Sequence, residues 1–297
     1  MVGGGDAAVM TVLLFGATGR IGPHAARALA SRHVAVRALV RDPGRAAQVL
    51  PADVELIPGD FGDEASLGRA LEGVDSVLLL TPHGPDMADT QLRLLGMARQ
   101  AGTRVVKISG TSSVIGPDGP DAGRQHWLVE QELPGSGLGY VILRPNAFMQ
   151  TLLPPIATML QTKGVILNPL GSAGISLIDC ADIGDAAAGV LTDARHDGAT
   201  YVLTGPAAPT YADIAATIEA VTGRAVPVVD ITPEEMAEGA RSRGASDWEV
   251  GHLAEMLARF RAGASDFVTD DVKTLLGRDP RSVADFIADH RSDFTTP

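Results

Sequence analysis

Lysine is scarce in this chain, with three in 297 residues: Lys107, Lys163 and Lys273. A catalytic Tyr-x-x-x-Lys pair needs tyrosine four residues before one of them. Those positions hold Thr103, Met159 and Thr269, so that pair is excluded. Cys180 is the only cysteine, which rules out an intrachain disulfide and a thiolate metal cluster and fits a reducing cytoplasm. It reads as a small core side chain. No apolar run reaches membrane-spanning length, and the run at 9–15 suits a first strand. The glycine-rich residues 1–8 carry no Lys or Arg, so they form no secretory n-region. The G-x-S-x-G elbow, the P-loop, H-E-x-x-H and cysteine metal spacings are all missing, and no metal site is expected. With 24 basic against 36 acidic residues, the net charge is −12. That balance argues against nucleic acid or an anionic membrane surface as the main partner.

What the chain does have begins at residues 11–22, an apolar strand, a glycine turn and a helix start. Gly16, Gly19 and Gly22 give the spacing G-x-x-G-x-x-G. Gly16 lets the chain turn off the strand, Gly19 clears room for a pyrophosphate, and Gly22 lets the helix pack close to the sheet. Thr18, Arg20 and Ile21 complete the loop, and the helix N-terminus adds partial positive charge. A second apolar strand over 34–40 completes the βαβ start. An NAD site calls for Asp or Glu at its end, to hold the ribose 2′-OH. Here the position is Arg41, with Arg45 one helical turn further. Guanidinium groups there pair with an adenosine 2′-phosphate, which makes NADP(H) the expected cofactor. The alternative is a solvated basic loop opening a helix over 44–50.

Strand and helix patterns then alternate, at 54–58, 66–71, 76–80, 87–101, 104–109, 125–133 and 140–143. This is the sequence form of an α/β, Rossmann-type doubly wound parallel sheet. After Arg144-Pro145-Asn146 come prolines and short strands. A strand over 175–179, a helix over 183–191 with Asp182 as N-cap, and a strand over 200–203 return to the sheet. From Tyr211 the chain is mainly helical. The organisation expected is a leader at 1–9, a dinucleotide-binding domain at 10–144 with 176–204 returning to it, and a small helical substrate region from 145–175 and 205–297.

Ligands of an open parallel sheet lie across the carboxyl ends of its strands. Asp60 and Phe61, past the third strand, are placed for the adenine; the competing reading is a tight turn. Thr81 and Pro82, with His83, follow the fourth strand near the nicotinamide ribose. Pro145, Asn146 and Phe148 wall the nicotinamide pocket. Lys107 lies inside a strand made for burial, where an ammonium is costly unless paired or aimed at a polar cleft. It reads as a cofactor-ribose ligand or proton relay, against a snorkelling stem. His126 and Glu130 share a helical face, and a histidine beside a carboxylate suits general-acid work near neutral pH; a solvated surface pair is the alternative. Trp127 and Trp248 read as packing.

The ordered set resembles the NmrA-like branch of atypical short-chain dehydrogenases/reductases, particularly its NAD(P)H-dependent quinone/azo-type oxidoreductases. The loop Gly16–Gly22, Arg41-Asp42-Pro43, Gly59-Asp60-Phe61 and Val105-Val106-Lys107-Ile108-Ser109 carry the resemblance. So do His126-Trp127 with Glu130, the run from Leu143 to Gln150, Asp179-Cys180-Ala181-Asp182-Ile183 and Leu276-Gly277-Arg278-Asp279-Pro280. It implies a Rossmann core, NADP(H) in the cleft and a C-terminal substrate domain. It also implies hydride transfer to a small conjugated acceptor such as a quinone, an enone or a similar carbonyl, without the tyrosine pair. The family includes cofactor-binding regulators without turnover, so an NADP(H)-sensing protein stays open, as does a non-hydride tailoring enzyme. A cytoplasmic monomer or homodimer is the expected state.

Overall fold

A computed structural model of the protein describes residues 10–295; the expected leader at 1–9 lies outside them. The first part alternates β1 (Thr11–Leu14), α1 (Gly22–Ala30), β2 (Ala35–Val40), α2 (Pro43–Ala46), β3 (Glu55–Pro58) and α3 (Glu64–Leu71). It continues with β4 (Ser76–Leu79), α4 (Met87–Ala101), β5 (Arg104–Ile108), α5 (Asp121–Glu132) and β6 (Tyr140–Pro145). Then follow β7 (Ala147–Phe148), α6 (Met149–Lys163), β8 (Ile166–Asn168), β9 (Leu177–Ile178), α7 (Cys180–Leu191) and β10 (Thr200–Leu203). The chain closes with α8 (Tyr211–Thr222), β11 (Val228–Asp230), α9 (Pro233–Arg241), α10 (Asp247–Arg261), α11 (Asp271–Leu276), α12 (Val283–Asp289) and α13 (Arg291–Phe294).

Seven strands form one sheet in the order β10-β6-β5-β4-β1-β2-β3, and every pairing is parallel. The order reverses between β1 and β4, and such a switch point opens a crevice at the strands' carboxyl ends. Alternation along the strands sorts their side chains between two layers. Val12 and Leu14 face a core shared with α1 and α7, while Leu13 and Phe15 face one shared with α3, α4 and α5. In β5 the same rule sends Val106 and Ile108 to the α1/α7 side. Val105 goes to the opposite core, and Lys107 points the same way, into partners on α4 and α5.

The segment after β6 packs a second core, in which Met149, Leu153, Ile156 and Leu160 of α6 meet Ile214 and Ile218 of α8. Helix α6 falls where only prolines and short strands were expected. Pro154 and Pro155 sit inside it, each removing an intrahelical hydrogen bond at a cost of roughly 3 kcal/mol. The buried stripe at helical spacing offsets that cost. A second correction concerns α7. Its N-cap is Asp179, which accepts from Ala181 N–H, and the expected cap Asp182 lies inside the first turn. There Asp182 is fully buried and accepts from the Arg281 backbone N–H at 2.7 Å, tying the C-terminal strap to α7. Helix α5 starts at Asp121, a turn before the expected 125, and the helix expected over 44–50 is the single turn α2.

Candidate active site

The crevice is built first from what glycine permits. Gly16 has φ +68°, and a Cβ there would lie 2.8 Å from the Leu80 carbonyl oxygen across the β1–β4 gap. A Cβ on Gly22 would lie 2.3 Å from the Ala17 carbonyl oxygen. The α1 N-cap is Ile21, so no side chain caps the first turn, and no acidic residue sits in it. Backbone N–H groups at a helix start with no carboxylate beside them fit a pyrophosphate. Thr18, Gly19 and Arg20 are exposed at this turn.

Arg41 and Arg45 are exposed just past the end of β2. The neighbouring carboxylate of Asp42 accepts from Arg45 N–H at 3.0 Å as the α2 N-cap, which turns it away from a ribose-binding role. At the end of β3, Asp60 Oδ1 accepts from Gly62 N–H at 2.6 Å, so the tight turn is formed. The Phe61 ring meets Phe15 edge-on at 5.7 Å, and its carbonyl accepts from Arg93.

The other wall of the crevice holds a buried polar chain. Lys107 is fully buried, and its ammonium has three acceptors for its three protons. They are Gln91 Oε1 at 2.7 Å, His126 Nδ1 at 3.0 Å and the Ile108 carbonyl at 3.3 Å. Gln91 in turn donates to Thr81 Oγ1 at 2.8 Å. Burial pushes the Lys107 amine down to about 7, with Glu130 opposing the shift. His126, 6% exposed, is held well below the ordinary histidine range by burial, and then by the charge of Lys107. Its imidazole is therefore neutral at neutral pH. Donation from Lys107 to Nδ1 places the imidazole proton on Nε2. Gly110 makes room for that edge, since a Cβ there would lie 3.0 Å from His126 Cδ2.

The expected His126–Glu130 partnership is not formed. Glu130 turns to Arg144, whose Nε donates to Oε1 at 3.1 Å and whose Nη2 pairs with Oε2, and to the Ser109 hydroxyl at 2.5 Å. An arginine on β6 outcompetes an imidazole that burial keeps uncharged. Asn146 is also used internally: its Oδ1 accepts from Thr111 and Ser265 hydroxyls, both at 2.8 Å, and its Nδ2 donates to Ser176 Oγ at 2.5 Å. It joins β6 to the loop beyond α10 rather than offering a free group to the crevice. Pro145 ends β6, buried, and Phe148 follows half-buried before α6; Pro82 is exposed after β4.

Sequence reasoning missed Gln91 and His252, while Trp248, expected to pack, does so against His252. His83, exposed in the loop after β4, lies 5.5 Å from the His126 ring and 5.3 Å from the His252 ring, centroid to centroid. Trp248 and His252 stack at 5.2 Å. Their four-residue spacing on an expected helix was the available signal. Nothing in α10 alone said which elements that face would meet.

The model of the NmrA-like family matches residues 9–264. This chain belongs to that family. Its relatives include the NAD(P)H azoreductase of Xenophilus azovorans, 34% identical over 250 residues, covering 83% of this chain and 86% of that protein. Quinone oxidoreductase 2 of Escherichia coli is 30% identical over 259 residues, 86% of this chain and 88% of that protein. An NADPH-dependent quinone oxidoreductase from Escherichia coli, in complex with NADPH, superposes with a TM-score of 0.85 at 25% identity. That match covers 95% of this chain and 100% of the other. No helix among the described residues is long and apolar enough to cross a membrane.

Proposed function

We propose that this protein is an NADPH-dependent reductase of a small, flat, conjugated acceptor, a quinone or a related carbonyl or ene compound, with His126 as proton donor and Lys107 behind it. The enzyme class, an NAD(P)H-dependent oxidoreductase, and the cofactor, NADP(H), rest on family membership together with the fit of the glycine crevice. The loop residues Gly16, Thr18, Gly19, Arg20, Ile21 and Gly22 would hold the pyrophosphate, and Arg41 with Arg45 the 2′-phosphate. Asp60 and Phe61 would border the adenine. Thr81, Pro82, Pro145 and Phe148 would border the nicotinamide end, with Asn146 bracing that wall from behind.

Bound NADPH supplies the hydride when an acceptor lies over its nicotinamide. The protein's own chemistry concerns the proton. A neutral His126 donates its Nε2 hydrogen bond to the acceptor oxygen. As negative charge grows there, the Nε2 proton passes to that oxygen and a Lys107 proton moves to Nδ1, so the imidazole stays neutral throughout. The amine, poised at about 7, holds a transferable proton near neutral pH. Lys107 thereby acts on a reacting group through His126, which suits a chain without the tyrosine pair. The observation that carries this reading is the 3.0 Å contact between Lys107 Nζ and His126 Nδ1, buried beside the crevice. The test is NADPH oxidation with quinones, enones and azo dyes as acceptors. Turnover with a quinone or enone supports the reading, and no acceptor above the buffer rate overturns it.

A further inference from the structure

The buried polar chain behind Lys107 has a direction. Gln91, 1% exposed on α4, stands between the Lys107 ammonium and the Thr81 hydroxyl. Its amide oxygen lies 2.7 Å from Nζ and its amide nitrogen 2.8 Å from Thr81 Oγ1. The two ends of that amide are not interchangeable. An ammonium offers protons and no lone pair, so only the oxygen can face it, and the nitrogen is left to donate to Thr81. Thr81 Oγ1 is thereby an acceptor towards Gln91, and among the described residues it donates in no hydrogen bond. Its proton has to point away from Gln91. Thr81 is only half-buried, and it follows directly on Leu80, whose carbonyl oxygen leaves no room for a Cβ on Gly16. An unspent hydroxyl proton therefore stands beside the glycine turn, at the switch point between β1 and β4.

We propose that Gln91 is a positioning residue that locks Thr81 as a hydrogen-bond donor to the nicotinamide end of bound NADP(H), where the carboxamide oxygen takes the bond. That end of the cofactor carries ribose hydroxyls, which both give and accept, and a carboxamide oxygen, which only accepts. A ribose hydroxyl would meet threonine in either orientation. The carboxamide oxygen needs the one orientation that Lys107 and Gln91 impose. Lys107 then serves the crevice twice, through His126 as a proton source and through Gln91 by setting the direction of Thr81. The proposal takes from the functional reading the placement of the nicotinamide beside Thr81, and it needs no acceptor to be reduced.

The experiment measures dissociation constants by calorimetry for three oxidised cofactors: NADP+, thio-NADP+ and the 3-acetylpyridine analogue. Thio-NADP+ puts sulfur, a weaker acceptor, in place of the carboxamide oxygen. The acetylpyridine analogue keeps the carbonyl and lacks the amide nitrogen. Thr81→Val should weaken NADP+ and the acetylpyridine analogue by about three- to tenfold and thio-NADP+ by about twofold or less. Thr81→Ser should keep the wild-type preference for oxygen over sulfur. Gln91→Glu puts a carboxylate, which only accepts, between the ammonium and the hydroxyl, so Thr81 turns its proton inward. The preference for NADP+ over thio-NADP+ should then collapse although the hydroxyl is still present. Both ligands carry the same charge, so the added carboxylate acts on them alike and their ratio isolates the hydrogen bond. Gln91→Met frees the hydroxyl to rotate and should give an intermediate ratio; it decides the matter if the glutamate variant does not fold. An unchanged ratio in the Gln91 variants, or equal losses for all three ligands in Thr81→Val, overturns the proposal. If no acceptor is reduced while the ratios behave as stated, the reductase reading falls and the assignment of Gln91 and Thr81 stands.

Discussion

The two walls of the crevice are built in opposite ways. On the cofactor wall, the groups proposed for the phosphates come from two short segments, 16–22 and 41–45, with Arg20 exposed at the uncapped start of α1 and Arg41 and Arg45 exposed past β2. On the acceptor wall, Thr81, Gln91, Lys107 and His126 come from four elements and bond to one another, three of them below 7% exposure. In the proposed function the first wall would bind charge by leaving its own groups free, with its selectivity in local sequence. The second would hold a proton on an amine buried against an imidazole, a contact set by tertiary register. The two walls should therefore fail separately when mutated.

The largest effect should come from the acceptor wall. His126→Phe should lower kcat by about 10²–10⁴, the usual worth of a general acid, while leaving the NADPH dissociation constant unchanged. Steady-state kinetics paired with cofactor titration reads both, and a parallel loss of NADPH binding would erase the distinction between the walls. On the cofactor wall, Arg41→Ala should weaken NADPH binding by a factor of about ten to a hundred and leave NADH nearly untouched. Equal losses for the two cofactors would mean that Arg41 does not discriminate. Arg45→Ala should show a smaller version of that pattern.

A third change addresses the brace between the regions. Asn146→Ala leaves the hydroxyls of Thr111, Ser176 and Ser265 without their shared partner. It should cost about 1–3 kcal/mol in denaturant unfolding, with cofactor affinity retained. Loss of affinity without loss of stability would return Asn146 to the cofactor site. The last effect is a slope. An amine lowered from 10.5 to about 7 by burial is protonated in the unfolded chain and neutral in the folded one between those values. The unfolded state then binds more protons, so wild-type stability relative to Lys107→Met should climb with pH across that window. A flat difference would mean that the buried amine is not shifted.

How much was legible follows the same division. The sheet, the glycine turn and the place of Arg41 past β2 were readable because strand, turn and cap chemistry act within a dozen residues. Lys107 stood out because its charge broke a strand pattern. Glu130 was assigned the wrong partner, since helical spacing reports a shared face and is silent about an arginine arriving from β6. Helix α6 was hidden by Pro154 and Pro155, whose local preference is overridden by burial against α8. His252 was invisible for the same reason: its place against Trp248 and the His83 loop is set by packing between distant segments.

The central claim is that the proton reaches the acceptor from Lys107 through His126. It is tested most directly by the pH dependence of kcat with a quinone, measured on the wild type and on Lys107→Arg. Because the protonated amine is the active form, wild-type kcat should fall about tenfold per pH unit above about 7. Arginine keeps its charge at all accessible pH, so Lys107→Arg should be slower and should show no falling limb there. The same falling limb in both proteins would contradict the account.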